Sequence, residues 1–141
     1  MPHVSIRILI ADDHSAIRRL LRALLETRAE WKVCGEAENG QEAVTKAAEL
    51  KPDLIILDLA MPIMNGLEAA REISKAMPAV PILMHTNHSS SELELEAEKV
   101  GVRQVISKGG SDGQLLRAVV TALLNRKPQG TKTLIDQEST K

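Results

Sequence analysis

Five residues with chemically useful side chains each follow a short apolar run. Asp12 and Asp13 follow I-R-I-L-I-A, Asp58 follows L-I-I-L, Thr86 follows the run Val80 to His85, and Lys108 follows Q-V-I-S. Taken singly, each has an ordinary explanation: Asp13 as a helix cap, Thr86 as the start of a turn, Lys108 as a solvated strand end. If the runs are strands of one sheet, however, these explanations fail together. Three carboxylates crowded into one crevice repel one another, and a single lysine cannot neutralise them all. A bound cation would. Oxygen-only ligands select a hard ion, and a few carboxylates that leave room for waters and a phosphate oxygen suit octahedral Mg²⁺, with Mn²⁺ as a substitute, better than an enclosed Ca²⁺ site.

The elements that must position these residues are legible in the apolar pattern. Ile6 to Ala11 is mostly apolar, as in a strand buried on both faces. Ile17, Leu20, Leu21, Leu24 and Leu25 then form a stripe of helical period flanked by Arg18, Arg19 and Arg22. The unit repeats with a strand from Trp31 to Ala37, an Asn39-Gly40 turn, and a helix through Ala43, Val44, Ala47, Ala48 and Leu50 that ends at Pro52. Leu54 to Leu57 is a third strand, and a loop holding Met61-Pro62 leads to a helix from Gly66 to Ala76, stopped by Pro78. Val80 to His85 is a fourth strand. Ser89 and Glu92 form a capping box for a helix ending near Val100-Gly101, Gln104 to Ser107 is a fifth strand, and a last helix runs from Gly113 to Asn125.

Strands alternating with helices imply right-handed βαβ units and a mainly parallel sheet covered on both faces. The expected fold is α/β: a flavodoxin-like, doubly wound, five-stranded parallel sheet of order 2-1-3-4-5 with five helices. In such sheets the ligand crevice lies outside the carboxyl ends of the strands, where the strand order reverses. That is where the five residues fall. Residues 1–125 are expected to be one domain, and residues 126–141, polar and without apolar period, a flexible tail or severed linker.

Composition narrows the function classes. With 18 basic and 19 acidic residues interspersed, the formal net charge is -1, which disfavours direct nucleic-acid binding or attraction to an anionic membrane. There is one Trp and no Tyr or Phe, so base stacking is not available as a binding mode. Cys34 is the only cysteine, which rules out an internal disulfide, and no apolar run has membrane length; a cytoplasmic location is expected.

The pair Asp12-Asp13, the run Asp58-Leu59-Ala60-Met61-Pro62 followed by Asn65-Gly66, Thr86 and Lys108 together resemble the receiver domains of bacterial two-component response regulators. The similarity spans residues 5 to about 124, and the first strand and helix look most like receivers fused to a LuxR-type DNA-binding domain. The resemblance implies that Asp58 is a phosphoacceptor, not an enzyme's turnover nucleophile, served by the phosphohistidine of a histidine kinase or a histidine phosphotransfer protein. It further implies that Asp13 binds Mg²⁺ directly, that Asp12 does so directly or through water, and that Asp58 and the backbone carbonyl of Ala60 add ligands. Thr86 would hydrogen-bond the phosphoryl oxygens and Lys108 would balance their charge. Phosphorylation would then shift the fourth helix, fifth strand and fifth helix, the output face towards a downstream domain or protein, and homodimerisation on phosphorylation is a further implied outcome.

Several residues depart from the family pattern. Val105 stands where an aromatic side chain usually couples to the switch threonine, and its single stiff torsion and small area would bias two states less than a ring. Gly109-Gly110 follows Lys108 in place of the usual proline, and Asn87 takes a position preferring a small residue, with His88 beyond it. His14, His85 and His88 raise a zinc reading, but their spacing matches no strong metal signature. The acidic Glu92, Glu94, Glu96 and Glu98 read as a solvated helix face.

Three rivals share parts of this pattern. A flavin electron carrier needs a phosphate loop where Asp12-Asp13 would repel it, and aromatic rings that are missing. A phosphatase that forms an aspartyl phosphate has a second acid two residues after the nucleophile, where this chain has Ala60. A pseudo-receiver that binds without phosphorylation is opposed by the complete set of site residues and kept in play by Val105 and Asn87.

Overall fold

The computed structural model describes residues 5–126. Its elements are β1 (Ile6–Ala11), α1 (Ser15–Leu25), β2 (Trp31–Ala37), α2 (Gly40–Leu50), β3 (Leu54–Leu57), α3 (Gly66–Ala76), β4 (Ile82–Thr86), α4 (Ser91–Lys99), β5 (Val102–Ser107) and α5 (Asp112–Leu124). All strand pairs are parallel and the order is β2-β1-β3-β4-β5, the expected flavodoxin-like arrangement. The tail expected over residues 126–141 falls, apart from Arg126, outside the described residues.

Parallel strands buried on both faces explain why β1 and β3 read as continuous apolar runs. Alternate residues feed two separate cores. Leu9, Ile55, Leu57, Ile82 and Met84 pack under α2, α3 and α4, while Ile8, Ile10, Leu54, Ile56 and Leu83 pack under α1 and α5. Two irregularities reset this alternation. On β2 the register slips between Ile8↔Val33 and Leu9↔Gly35, so Val33 faces the α1/α5 core and Ala37, of the same parity, the opposite one. On β5 the slip lies between Ile82↔Val102 and Leu83↔Gln104, and it turns Val102 and Val105 towards α4 but Ile106 towards α5.

Several element boundaries differ from the sequence expectation. β4 begins at Ile82 because Val80 N–H is taken by the Met77 carbonyl in a turn and Pro81 has no N–H to give; Pro81 contributes only its carbonyl, to Ile55 N–H at 3.0 Å. β5 begins at Val102, two residues early, since the bulge hides its alternation. The cap of α4 is Ser90, whose hydroxyl accepts from Leu93 N–H at 3.1 Å, and Ser89 with Glu92 forms no capping box. Three consecutive serines offer the same group, and the choice follows from seating Leu93 and Ala97 in the core. The Asn39-Gly40 pair is the N-cap and first residue of α2, with Asn39 Oδ1 accepting from Glu42 N–H at 2.8 Å. Leu20, expected in the buried stripe of α1, is 67% exposed, because only Leu21 and Leu25 of that stripe reach the sheet fully.

No helix among the described residues is long and apolar enough to cross a membrane.

Candidate functional site

β1, β3 and β5 each hand the residue that follows them to one edge of the sheet through a backbone hydrogen bond, and β4 ends there at Thr86. Asp12 N–H donates to the Ala37 carbonyl at 3.0 Å, Asp58 N–H to the Ala11 carbonyl at 2.9 Å, and Lys108 N–H to the Thr86 carbonyl at 2.9 Å. These bonds carry the sheet's order past its ends and fix the backbone under every polar group of the site.

Behind Asp58 the β3–α3 loop is held by close backbone approach. Gly66 N–H donates to the Leu59 carbonyl at 2.8 Å, and a Cβ on Gly66 would lie 2.1 Å from the Asp58 carbonyl oxygen. Asn65 and Glu68 close a reciprocal capping box that starts α3 at this point. Gly66→Ala is therefore expected to force the Asp58 backbone away and to destabilise the fold by about 1–3 kcal/mol, as overpacking does. Urea unfolding of the variant checks this, and an unchanged midpoint would contradict it.

At the strand ends Asp12 is 1% exposed and Asp58 4%, while Thr86 is fully buried. Lys108 Nζ lies 2.7 Å from Asp12 Oδ2 and 3.1 Å from Asp58 Oδ2, spanning the two buried carboxylates. Asp12 Oδ2 is thus close enough for charge pairing, yet it has no hydrogen bond of good geometry. Asp58 Oδ1 accepts from Leu59 N–H at 2.8 Å. Burial, and after it the nearby Asp12 charge, push the Asp58 carboxyl above its usual range; Lys108 and the Leu59 N–H only partly offset them. For Lys108, burial acts downward, but the close contacts with Asp12 and Asp58 and their charges outweigh it, and the ammonium is held above its ordinary value. The site therefore holds more negative charge than its lysine can satisfy.

Asp13 is one-third exposed and stands at the mouth. Thr86 adjoins the carboxylates through the Lys108 backbone bond, and its hydroxyl oxygen accepts from His88 N–H at 3.1 Å, which leaves the hydroxyl proton free to donate. The Ala60 carbonyl accepts no backbone hydrogen bond among the described residues, whereas the neighbouring Leu59 carbonyl is occupied by Gly66. Oxygen donors in excess of the available positive charge fit a hard divalent ion.

The structure treats the three histidines differently. Asp12, Asp13, His14 and Asp58 form the one group of potential metal donors among the described residues, with one donor atom from each within 4.8 Å of the others. His14 is the residue that the spacing argument passed over, because its place beside Asp12 and Asp13 comes from a turn in which His14 N–H donates to Asp12 Oδ1 at 2.9 Å. His85 instead lines the groove between α1 and α5, where burial and the Lys108 charge lower its pKa to about 4 despite Asp12. Val105 is half-buried against the core beneath α4.

Comparison with known proteins places this geometry in context. The profile of the response regulator receiver domain matches residues 8–120. The chain is 40% identical over 116 residues to the transcriptional regulatory protein LnrK of Bacillus subtilis, covering 82% of this chain and 53% of LnrK. It is 38% identical over 113 residues to the chemotaxis protein CheY of Thermotoga maritima, covering 80% of this chain and 93% of CheY. Among solved structures, a LuxR-family two-component response regulator from Aurantimonas sp. SI85-9A1 superposes with a TM-score of 0.83 at 30% identity, covering 97% of this chain and 99% of that one. The chain spans about half the length of the transcriptional regulators it matches.

Proposed function

Since the chain belongs to the receiver domain family of two-component response regulators, we propose that Asp58 accepts a phosphoryl group from a phosphohistidine on a histidine kinase or a histidine phosphotransfer protein. Receiver domains are signalling phosphoacceptors and not enzymes acting on a turnover substrate. The observation that carries the assignment of Asp58 is its position: buried, paired to Lys108 at 3.1 Å, and surrounded by Asp12 and Asp13 in a pocket with surplus negative charge.

In the transfer one carboxylate oxygen of Asp58 bonds to phosphorus while the donor's phosphorus–nitrogen bond breaks and the imidazole nitrogen departs with its electron pair. Asp13, Asp58, Asp12 and the Ala60 carbonyl would hold Mg²⁺, or Mn²⁺ in its place. The ion when bound neutralises charge on the carboxylates and on the transferring group. Lys108 then follows the phosphoryl charge, and the free hydroxyl proton of Thr86 donates to a phosphoryl oxygen.

The Thr86 hydroxyl is also tied to His88, at the start of the segment leading to α4, so its movement pulls on that segment. The face formed by α4, β5 and α5 is the proposed output surface towards a downstream domain or protein. Leu95 on α4 is 60% exposed, and Glu94, Glu98, Arg103 and Val105 line the groove between α4 and β5. Homodimerisation on phosphorylation and a cytoplasmic setting belong to the same proposal.

Incubation with Mg²⁺ and acetyl phosphate, followed by intact mass measurement, is expected to yield one phosphoryl adduct that disappears in Asp58→Asn and in metal-free buffer. If no adduct forms, and a phosphorylated histidine donor and a stable phosphoryl mimic also fail, the chain is a pseudo-receiver that binds without phosphorylation.

A further inference from the structure

We propose that His14 supplies a nitrogen ligand to the cation site, so that the site takes zinc-like divalent ions more tightly than Mg²⁺ and is blocked by them. The inference rests on the reading of the acidic pocket as a cation site.

His14 occupies the N-cap of α1, where Ser, Thr, Asp and Asn are preferred because their side chains bond the first free N–H groups. Its side chain makes no such bond. Instead, Nδ1 turns back over the pocket, 3.0 Å from Asp13 Oδ1 and 3.2 Å from Asp12 Oδ1. At 67% exposed the imidazole fills no core, and most of the ring stands in water. Nδ1 is in hydrogen-bond contact with Asp12 Oδ1, a contact that an ion held between the two atoms would replace.

The separations suit a shared ion. Neighbouring ligands on an octahedral ion with bonds of about 2.1 Å lie about 3.0 Å apart, and on a tetrahedral zinc with bonds of about 2.0 Å they lie about 3.3 Å apart. The Nδ1 distances of 3.0 and 3.2 Å fall in this range. One donor atom from each of Asp12, Asp13, His14 and Asp58 lies within 4.8 Å of the others, so the wider separations must close by up to about 1.5 Å (4.8 less about 3.3) to share a tetrahedral ion.

Ligand type sets which ion benefits. Mg²⁺ gains little from an imidazole, whereas Zn²⁺, Co²⁺ and Ni²⁺ accept nitrogen readily and stand above it in affinity. Four protein donors, one from each of Asp12, Asp13, His14 and Asp58, would complete a tetrahedral shell. A completed shell leaves no position for a phosphoryl oxygen and occupies the Asp58 carboxylate, so such an ion opposes phosphorylation where Mg²⁺ supports it.

The test is calorimetric titration of the protein and of His14→Ala with Zn²⁺ and, separately, Mg²⁺, with Co²⁺ visible absorption as a report on nitrogen ligation and geometry. The expected result is Zn²⁺ binding weakened at least about tenfold in the variant, the tetrahedral Co²⁺ bands lost, and Mg²⁺ binding changed by less than about twofold. Retained Mg²⁺ binding also shows that the variant is folded. Equal Zn²⁺ affinity in both proteins, or equal losses for Zn²⁺ and Mg²⁺, overturns the role of His14 and leaves the phosphoacceptor reading standing. Failure of the unaltered protein to bind either ion overturns both.

Discussion

Replacing Lys108 with methionine is expected to lower the free energy of unfolding by about 3 kcal/mol near neutral pH in metal-free buffer. Methionine keeps an unbranched, flexible side chain of similar reach, so the change is mainly the loss of charge. The Lys108 side chain is 9% exposed and its two partners are buried, so water cannot take its place. Removing one partner from a buried ion pair leaves an uncompensated charge, and here it leaves two, on Asp12 and Asp58. The loss is limited because Asp58, already shifted upward by burial, can take up a proton instead of remaining charged. Saturating Mg²⁺ is expected to restore most of the lost stability, and to raise the variant's midpoint more than the parent's, because the ion supplies the missing positive charge and no longer competes with an ammonium. Urea unfolding of both proteins with and without Mg²⁺ checks both parts. Equal stability without metal would show that Lys108 does not hold the carboxylates together.

The strands and their order were legible because burial on both faces leaves long apolar runs in β1 and β3, and because Asp12, Asp58, Thr86 and Lys108 each interrupt such a run at its end. The sequence was less informative where geometry departs from a fixed period. The slip on β5 turns Val102 and Ile106 to opposite faces, so neither a continuous nor an alternating pattern marks the strand's start, and the apolar pattern alone begins it at Gln104. Among three adjacent serines, only packing of Leu93 and Ala97 selects Ser90 as the cap. The amphipathic stripe of α1 overstated its buried width, and Leu20 lies outside it in the groove towards α5. His14 is visible in the sequence as a zinc candidate, but spacing alone does not separate it from His85 and His88. Metal signatures are spacings along a chain, while its approach to Asp58 depends on β1 pairing with β3, a contact between residues far apart in sequence. Ala60 is the converse case: the resemblance nominates its carbonyl, and the hydrogen-bond pattern shows only that nothing in the backbone occupies it.

Asp58→Asn is expected to stabilise the metal-free protein by about 1–2 kcal/mol at neutral pH, the scale of relief for a buried charge near a like charge. Asparagine has one acceptor oxygen and keeps the bond from Leu59 N–H only by turning its NH2 group towards Lys108, whose ammonium must then rely on Asp12; this lost contact offsets part of the gain from removing the charge. The pH dependence gives the sign. Burial and the Asp12 charge raise the folded-state pKa of Asp58 above its ordinary value of 3.8, so the folded protein holds this proton more tightly than the unfolded chain. Below 3.8 both states are protonated and the carboxyl carries no penalty. As pH rises, the unfolded chain ionises first, and the parent loses stability relative to the variant until the folded-state pKa is passed. The advantage of Asp58→Asn is therefore absent in acid, grows across that window and stays constant above it. Taking the difference between variant and parent removes the contribution of His85, whose lowered pKa of about 4 arises from burial, Lys108 and Asp12 and not from Asp58. Urea unfolding of the pair from acid to neutral pH measures it, and a variant no more stable than its parent at neutral pH would sink the idea of charge crowding. Crowding of this kind also supplies a driving force for the site: the repulsion that a single lysine leaves unbalanced is relieved by a divalent ion, so the variant that is more stable without metal should also bind Mg²⁺ more weakly.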